Sequence, residues 1–153
     1  MNLEIIRKHI ASQSTLLFII TVLLLIYSCN SKEKQEEKHF VYKAVNANKD
    51  TALLSLTINK NRFYGQYEIK YGKAMKDSGS VKGDIVGDTL FKGDYNYLSY
   101  GGGLKIIPIA LLKKENKLFL GNGVISTYLG IPCFIPDVPI SYTDSEFIFE
   151  EVK

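Results

Sequence analysis

The chain has no tryptophan, two cysteines and two histidines among its 153 residues. One histidine, His9, falls in an N-terminal segment set apart below, which leaves His39 alone for the remainder. A single histidine argues against a Ser-His-Asp or Cys-His arrangement, and it leaves no His/Cys cluster for zinc. Charge is also nearly balanced, with 19 basic and 16 acidic residues. That balance suggests neither nucleic acid nor electrostatic membrane binding. Proline is scarce, and three of the four (Pro132, Pro136 and Pro139) fall in one short stretch. No glycine-rich loop precedes a helical pattern, so no phosphate site is expected. No catalysis, metal or other cofactor is expected.

An abrupt change of character comes first. Arg7 and Lys8 lie near the start, Leu16 to Ile26 (LLFIITVLLLI) is an apolar run of 11 residues, and Ser28 precedes Cys29. A basic region, a short apolar region and a small residue at the cut describe an export signal. Crossing a bilayer takes roughly 20 apolar residues, and this run is shorter.

The segment Ile26-Tyr27-Ser28-Cys29 resembles the lipobox of bacterial lipoproteins, with Tyr27 departing from the small residue that family prefers. The resemblance implies that residues 1–28 are a signal peptide and that Cys29 becomes the lipidated first residue, as only a thiol can form the thioether. Two or more acyl chains hold a domain stably on a membrane, whereas one does so only marginally. Asn30 to Lys38 (NSKEKQEEK) has no apolar residue and reads as a solvated tether. Its acids, Glu33, Glu36 and Glu37, resemble the export signal of Bacteroidetes-type surface lipoproteins; a plain charged linker is the other reading. Outer-membrane anchoring is expected, facing the periplasm or the cell surface.

Removing Arg7, Lys8 and Glu4 from those totals leaves 17 basic and 15 acidic residues in a mature chain of 125. That length suffices for one domain, expected over 39–153, with a real core. Cys133 is then the one remaining thiol and is expected to be a small buried hydrophobe.

The periodicity of this region is two. RFYGQYEIKY sets Phe63, Gly65, Tyr67, Ile69 and Tyr71 on one side, and Arg62, Gln66, Glu68 and Lys70 on the other, with Tyr64 the exception. FKGDYNY sets Phe91, Gly93, Tyr95 and Tyr97 against Lys92, Asp94 and Asn96, while LLSLTI sets Leu54, Leu56 and Ile58 against Ser55 and Thr57. Such alternation indicates half-buried antiparallel strands. With turn signals at 59–61, 87–88, 101–103 and 115–116, strands are expected at 39–46, 51–58, 62–71, 79–86, 89–99, 104–113, 117–126, 138–143 and 146–152. The fold class is all-β, an antiparallel barrel or sandwich, with an up-and-down, lipocalin-like barrel favoured.

Three strands repeat an apolar-x-Gly-x-apolar pattern at Gly65, Gly83 and Gly93, and each glycine falls on the inward side. Two reasons stand: curvature that lets the sheet close, or space for a ligand. The second makes Tyr67, Tyr95 and Tyr97, with Gly65, Gly83 and Gly93, candidate ligand-binding residues. The stretch 128–142 (YLGIPCFIPDVPISY) is proline-rich yet apolar. It reads as a lid over an open end, or as a contact for a partner protein or the membrane surface through Ile131, Phe134 and Ile135. Asp84, Asp88 and Asp94 lie at turns or on the polar face and read as solubilising.

The pieces Tyr42-x-Ala44, Lys49-Asp50-Thr51-Ala52-x-Leu54-x-Leu56, Asp77-Ser78-Gly79 and Gly87-Asp88-Thr89-Leu90 are similar to a group of small Bacteroidetes-type lipoproteins. That resemblance brings no activity with it. Two functions are expected to compete: a lipid-anchored barrel binding a small apolar or amphipathic ligand, or a structural or accessory envelope protein that docks a partner through 128–142.

Overall fold

In the computed structural model, residues 36–152 are described; the signal segment, Cys29 and most of the tether lie outside them. The described residues form ten strands: β1 (Lys38–Val45), β2 (Thr51–Asn59), β3 (Arg62–Tyr71), β4 (Met75–Val86), β5 (Leu90–Leu98), β6 (Leu104–Lys114), β7 (Lys117–Leu120), β8 (Ile125–Tyr128), β9 (Ile131–Phe134) and β10 (Ile148–Glu151). Eight of them close an antiparallel barrel in the order β1-β10-β7-β6-β5-β4-β3-β2. β8 and β9 form a separate hairpin inserted between β7 and β10. The barrel reading therefore holds and the sandwich does not.

Alternation fixes the two faces. Leu54, Leu56, Phe63, Tyr67, Val81, Phe91, Tyr95, Ile109, Leu111 and Leu118 point inward and are buried, joined by Phe147 and Phe149. Arg62, Tyr64, Lys70 and Lys82 point outward. A transmembrane barrel needs the opposite alternation, apolar outside and polar within. Tight reversals follow the turn signals, as at Gly87 and Asp88, whose φ angles are 59° and 61°. Thr57 points outward yet is buried, because the His39 ring lies against it with Nδ1 2.6 Å from Oγ1. β1 thus begins at the tether's last residue, and Glu37 just before it accepts a hydrogen bond from the Tyr64 hydroxyl at 3.0 Å.

The inward glycines lie where neighbouring strands approach closely. A Cβ on Gly65 would lie 1.8 Å from the Ser55 carbonyl oxygen, and one on Gly79 would lie 1.9 Å from that of Asn96. Gly83 and Gly93 are register partners and collide in the same way with each other's strands. The room left by the missing side chains is filled by neighbouring backbone. Close approach of neighbouring backbone, rather than open space, is therefore what requires glycine at these positions.

Three strand expectations need correction, the first being β4, which begins at Met75 rather than at 79. The strand expected at 117–126 ends at Leu120. Gly121 still donates its N–H to the Ala110 carbonyl at 2.8 Å, but the chain then leaves the barrel wall. Residues 138–143 form no strand, and a single bridge, Asn122 to Ser141, remains. The proline-rich stretch instead supplies β9, with Pro132 paired to Thr127 in the two-stranded hairpin where a missing donor is tolerated. Part of that stretch lies along the side of the barrel. Ile135, Val138 and Ile140 flank Leu90 and Lys92 on the outer wall of β5. Pro108 and Ala110, on the outward face of β6, are buried accordingly. Cys133 is half-buried on β9 rather than fully buried.

Candidate functional site

The ladder between β6 and β7 covers only Leu111 to Lys114 on β6. Ile107 to Ile109 therefore face a point where β7 has already ended. At that gap lies a cavity of about 250 Å³ that reaches into the barrel. Tyr67, Ile69 and Tyr71 of β3, Asp77 of β4, Tyr95 and Tyr97 of β5, and Ile107 and Ile109 of β6 form its inner wall. Gly121 to Gly123, Ile125, Phe134 and Glu146 form the outer side. Gly123 is needed there, because a Cβ would meet the Phe134 ring at 2.7 Å.

The tyrosines are held by one another. The Tyr95 and Tyr97 rings stack at 4.5 Å with an interplanar angle of 8°. Tyr67 and Tyr95 lie 4.7 Å apart, and Tyr67 meets Phe149 edge-on at 5.8 Å. Such aromatic pairs are worth about 0.5–1.5 kcal/mol each beyond the area they bury. The Tyr95 hydroxyl donates to the Tyr67 carbonyl at 3.0 Å.

The Tyr67 hydroxyl is different. It is buried and has no hydrogen-bond partner among the described residues. Burial pushes its pKa well above the ordinary tyrosine value, with Tyr95, Glu146 and Tyr71 adding to the rise. Tyr67 and those three neighbours all line the cavity, while the hydroxyl itself is buried. A buried polar group left unmatched costs about 1–3 kcal/mol. Burial also raises Tyr71, Tyr95 and Tyr97, in each case with Asp77 next.

Asp77 is the buried carboxylate of the site. It accepts the Tyr100 N–H at 2.7 Å and the Tyr71 hydroxyl at 3.2 Å. Glu146 accepts from the Asn46 amide at 3.4 Å. Neither acid was among the candidates read from sequence. Asp77 shares the inward parity of Gly79 and Val81, but the expected strand began at 79 and so excluded it.

Of the six ligand-binding candidates, the structure gathers Tyr67, Tyr95 and Tyr97 on one cavity and places Gly65, Gly83 and Gly93 away from it. The proposed partner contacts separate as well. Ile131 is 62% exposed, Phe134 packs into the cavity wall, and Ile135 is half-buried against the outer wall of β5. Asp84 meets Arg62 at 3.8 Å on the exposed face, as a solubilising acid would. Among the described residues no three His, Cys, Asp or Glu side chains converge on a metal site. Compared with protein-family models, curated proteins and solved structures, the chain matches none of them.

Proposed function

We propose that this is a lipid-anchored envelope protein whose barrel binds a small ligand in the tyrosine cavity. The single observation that carries the binding reading is the cavity itself, which gathers Tyr67, Tyr95 and Tyr97 with the buried carboxylate of Asp77. Apolar walls with a few convergent polar groups are the usual make-up of a small-molecule site. The anchor rests on the sequence at Cys29 and its surroundings. Nothing in this reading requires chemistry on the ligand, and we propose a binding protein rather than an enzyme.

Native mass spectrometry of the chain purified from the envelope of its own cells tests the binding. A reproducible extra mass, released on denaturation and absent from a Tyr97→Trp variant, is expected. A clean apo mass in the parent protein would contradict it. Labelling with a fatty acid analogue tests the anchor, which a Cys29→Ser variant should lose.

A second reading is favoured by one feature. The hairpin tip exposes Tyr128 at 72%, Leu129 at 84% and Ile131. Adjacent exposed apolar residues of this kind suit a protein contact. The tip, rather than Phe134 and Ile135, would then carry the docking of an envelope partner.

A further inference from the structure

The charge of the cavity is one-sided. Asp77 and Glu146 line it, and no Lys, Arg or His does. Among the described residues neither acid forms an ion pair. Glu68, on the outer face of β3, shows the contrast, with Lys70 at 3.2 Å and Lys76 at 2.9 Å. Asp77 is only 7% exposed, and both its donors, the Tyr100 N–H and the Tyr71 hydroxyl, are neutral. Burying a carboxylate without a counter-charge is costly. A carboxylate also offers about four acceptor positions, so two bonds leave Asp77 with capacity to spare.

Four tyrosines, Tyr67, Tyr71, Tyr95 and Tyr97, share the remaining wall with isoleucines and other apolar residues. Aromatic faces carry negative charge density and attract cations lying within about 6 Å of the ring centroid. The two acids act on these same rings, since Asp77 adds to the raised pKa of Tyr71, Tyr95 and Tyr97, and Glu146 to that of Tyr67 and Tyr71. A metal ion does not suit the site, because calcium takes about 6–8 oxygen ligands and two carboxylates fall well short.

We infer that the cavity receives a small organic cation, a protonated amine or quaternary ammonium, with Asp77 and Glu146 as counter-charge and the tyrosine rings as part of its walls. This deepens the reading of the cavity as a ligand site and rests on it. The volume of about 250 Å³ sets the size. It lies below the range of roughly 300–1,000 Å³ usual for drug-sized ligands.

The test uses two probes of matched shape, choline and its uncharged isostere 3,3-dimethylbutan-1-ol. Each is titrated calorimetrically into the full chain in a non-ionic detergent at neutral pH. Choline should bind at least about tenfold more tightly than the isostere, the size of a desolvated cation–aromatic contact. Glu146→Gln should weaken choline by about threefold to fivefold, as a partly exposed charge contact does. Asp77→Asn should weaken it further and leave the isostere unchanged. If Asp77→Asn does not fold, Glu146→Gln decides. Equal binding of the two probes would overturn the cation and leave the cavity reading standing. Choline binding unchanged by Glu146→Gln would also overturn it, placing that binding elsewhere. Binding of neither probe would overturn the cation too, and the native mass spectrum then decides the cavity reading separately.

Discussion

Gly83 and Gly93 face each other across β4 and β5, so closely that a Cβ on the first would lie 2.1 Å from the Lys92 carbonyl oxygen and one on the second 2.0 Å from that of Lys82. In each case the obstructing atom is backbone, which cannot swing aside as a side chain can. Gly83→Ala should therefore cost about 3 kcal/mol, the upper end of overpacking penalties. That corresponds to a fall in Tm of roughly 10 °C for a domain of this size. Thermal unfolding by circular dichroism checks it, with Ser80→Ala on the exposed face of β4 as the neutral control. A stable Gly83→Ala variant would mean that the glycine row leaves open space after all.

Tyr67→Phe and Tyr95→Phe should move stability in opposite directions. The first removes a buried hydroxyl that has no partner, so the empty protein should gain about 1 kcal/mol. The second removes the donor to the Tyr67 carbonyl and should lose about 1 kcal/mol. Urea denaturation midpoints of the two variants decide this, and a loss in both would count against an unsatisfied Tyr67.

Alkali should unfold the protein through the same tyrosines. Burial raises the pKa of Tyr42, Tyr67, Tyr71, Tyr95 and Tyr97 in the folded state. A hydroxyl with a higher pKa folded than unfolded contributes its stability in full below the unfolded value, about 10, and loses it as pH rises through the folded value. Denaturation midpoints should be insensitive to these groups below about pH 9 and fall steadily above about pH 10. Tyr67→Phe should make that fall shallower.

Leu129→Ser and Ile131→Ser lie at the exposed hairpin tip and should shift stability by no more than about 0.5 kcal/mol. Phe134→Ala, by contrast, strips the cavity wall beside Gly123 and should destabilise by about 3 kcal/mol. Crosslinking in intact cells separates the two functional readings. Partners lost in Leu129→Ser would favour docking, and an unchanged set would count against it.

Much of the barrel was legible because alternation is a local signal. Phe63, Tyr67 and Ile69 declared one face of β3 before any pairing was known, and the inner tyrosines of the cavity followed from the same parity. What failed to show was non-local. Gly121 looked like a strand residue, and only the packing of Ile140 and Tyr142 against it, at 2.6 Å and 2.8 Å from a notional Cβ, reveals why the chain departs there. The glycines were read as inward correctly, but whether backbone or a ligand fills their space depends on how tightly neighbouring strands coil. Asp77 was missed because β4 extends to Met75, four residues before the expected start. Glu146 reaches the cavity from the turn before β10, some 70 residues further along the chain, and no spacing rule links the two acids.

The most direct test of ligand binding is NMR on the chain carrying ring-labelled tyrosine, titrated with the small-molecule extract of the cells that make it. Resonances of Tyr67, Tyr71, Tyr95 and Tyr97 should shift together, while Tyr64 and Tyr128 on the outside stay fixed. Shifts confined to Tyr64 and Tyr128, or no shift at all, would contradict a binding site inside the barrel.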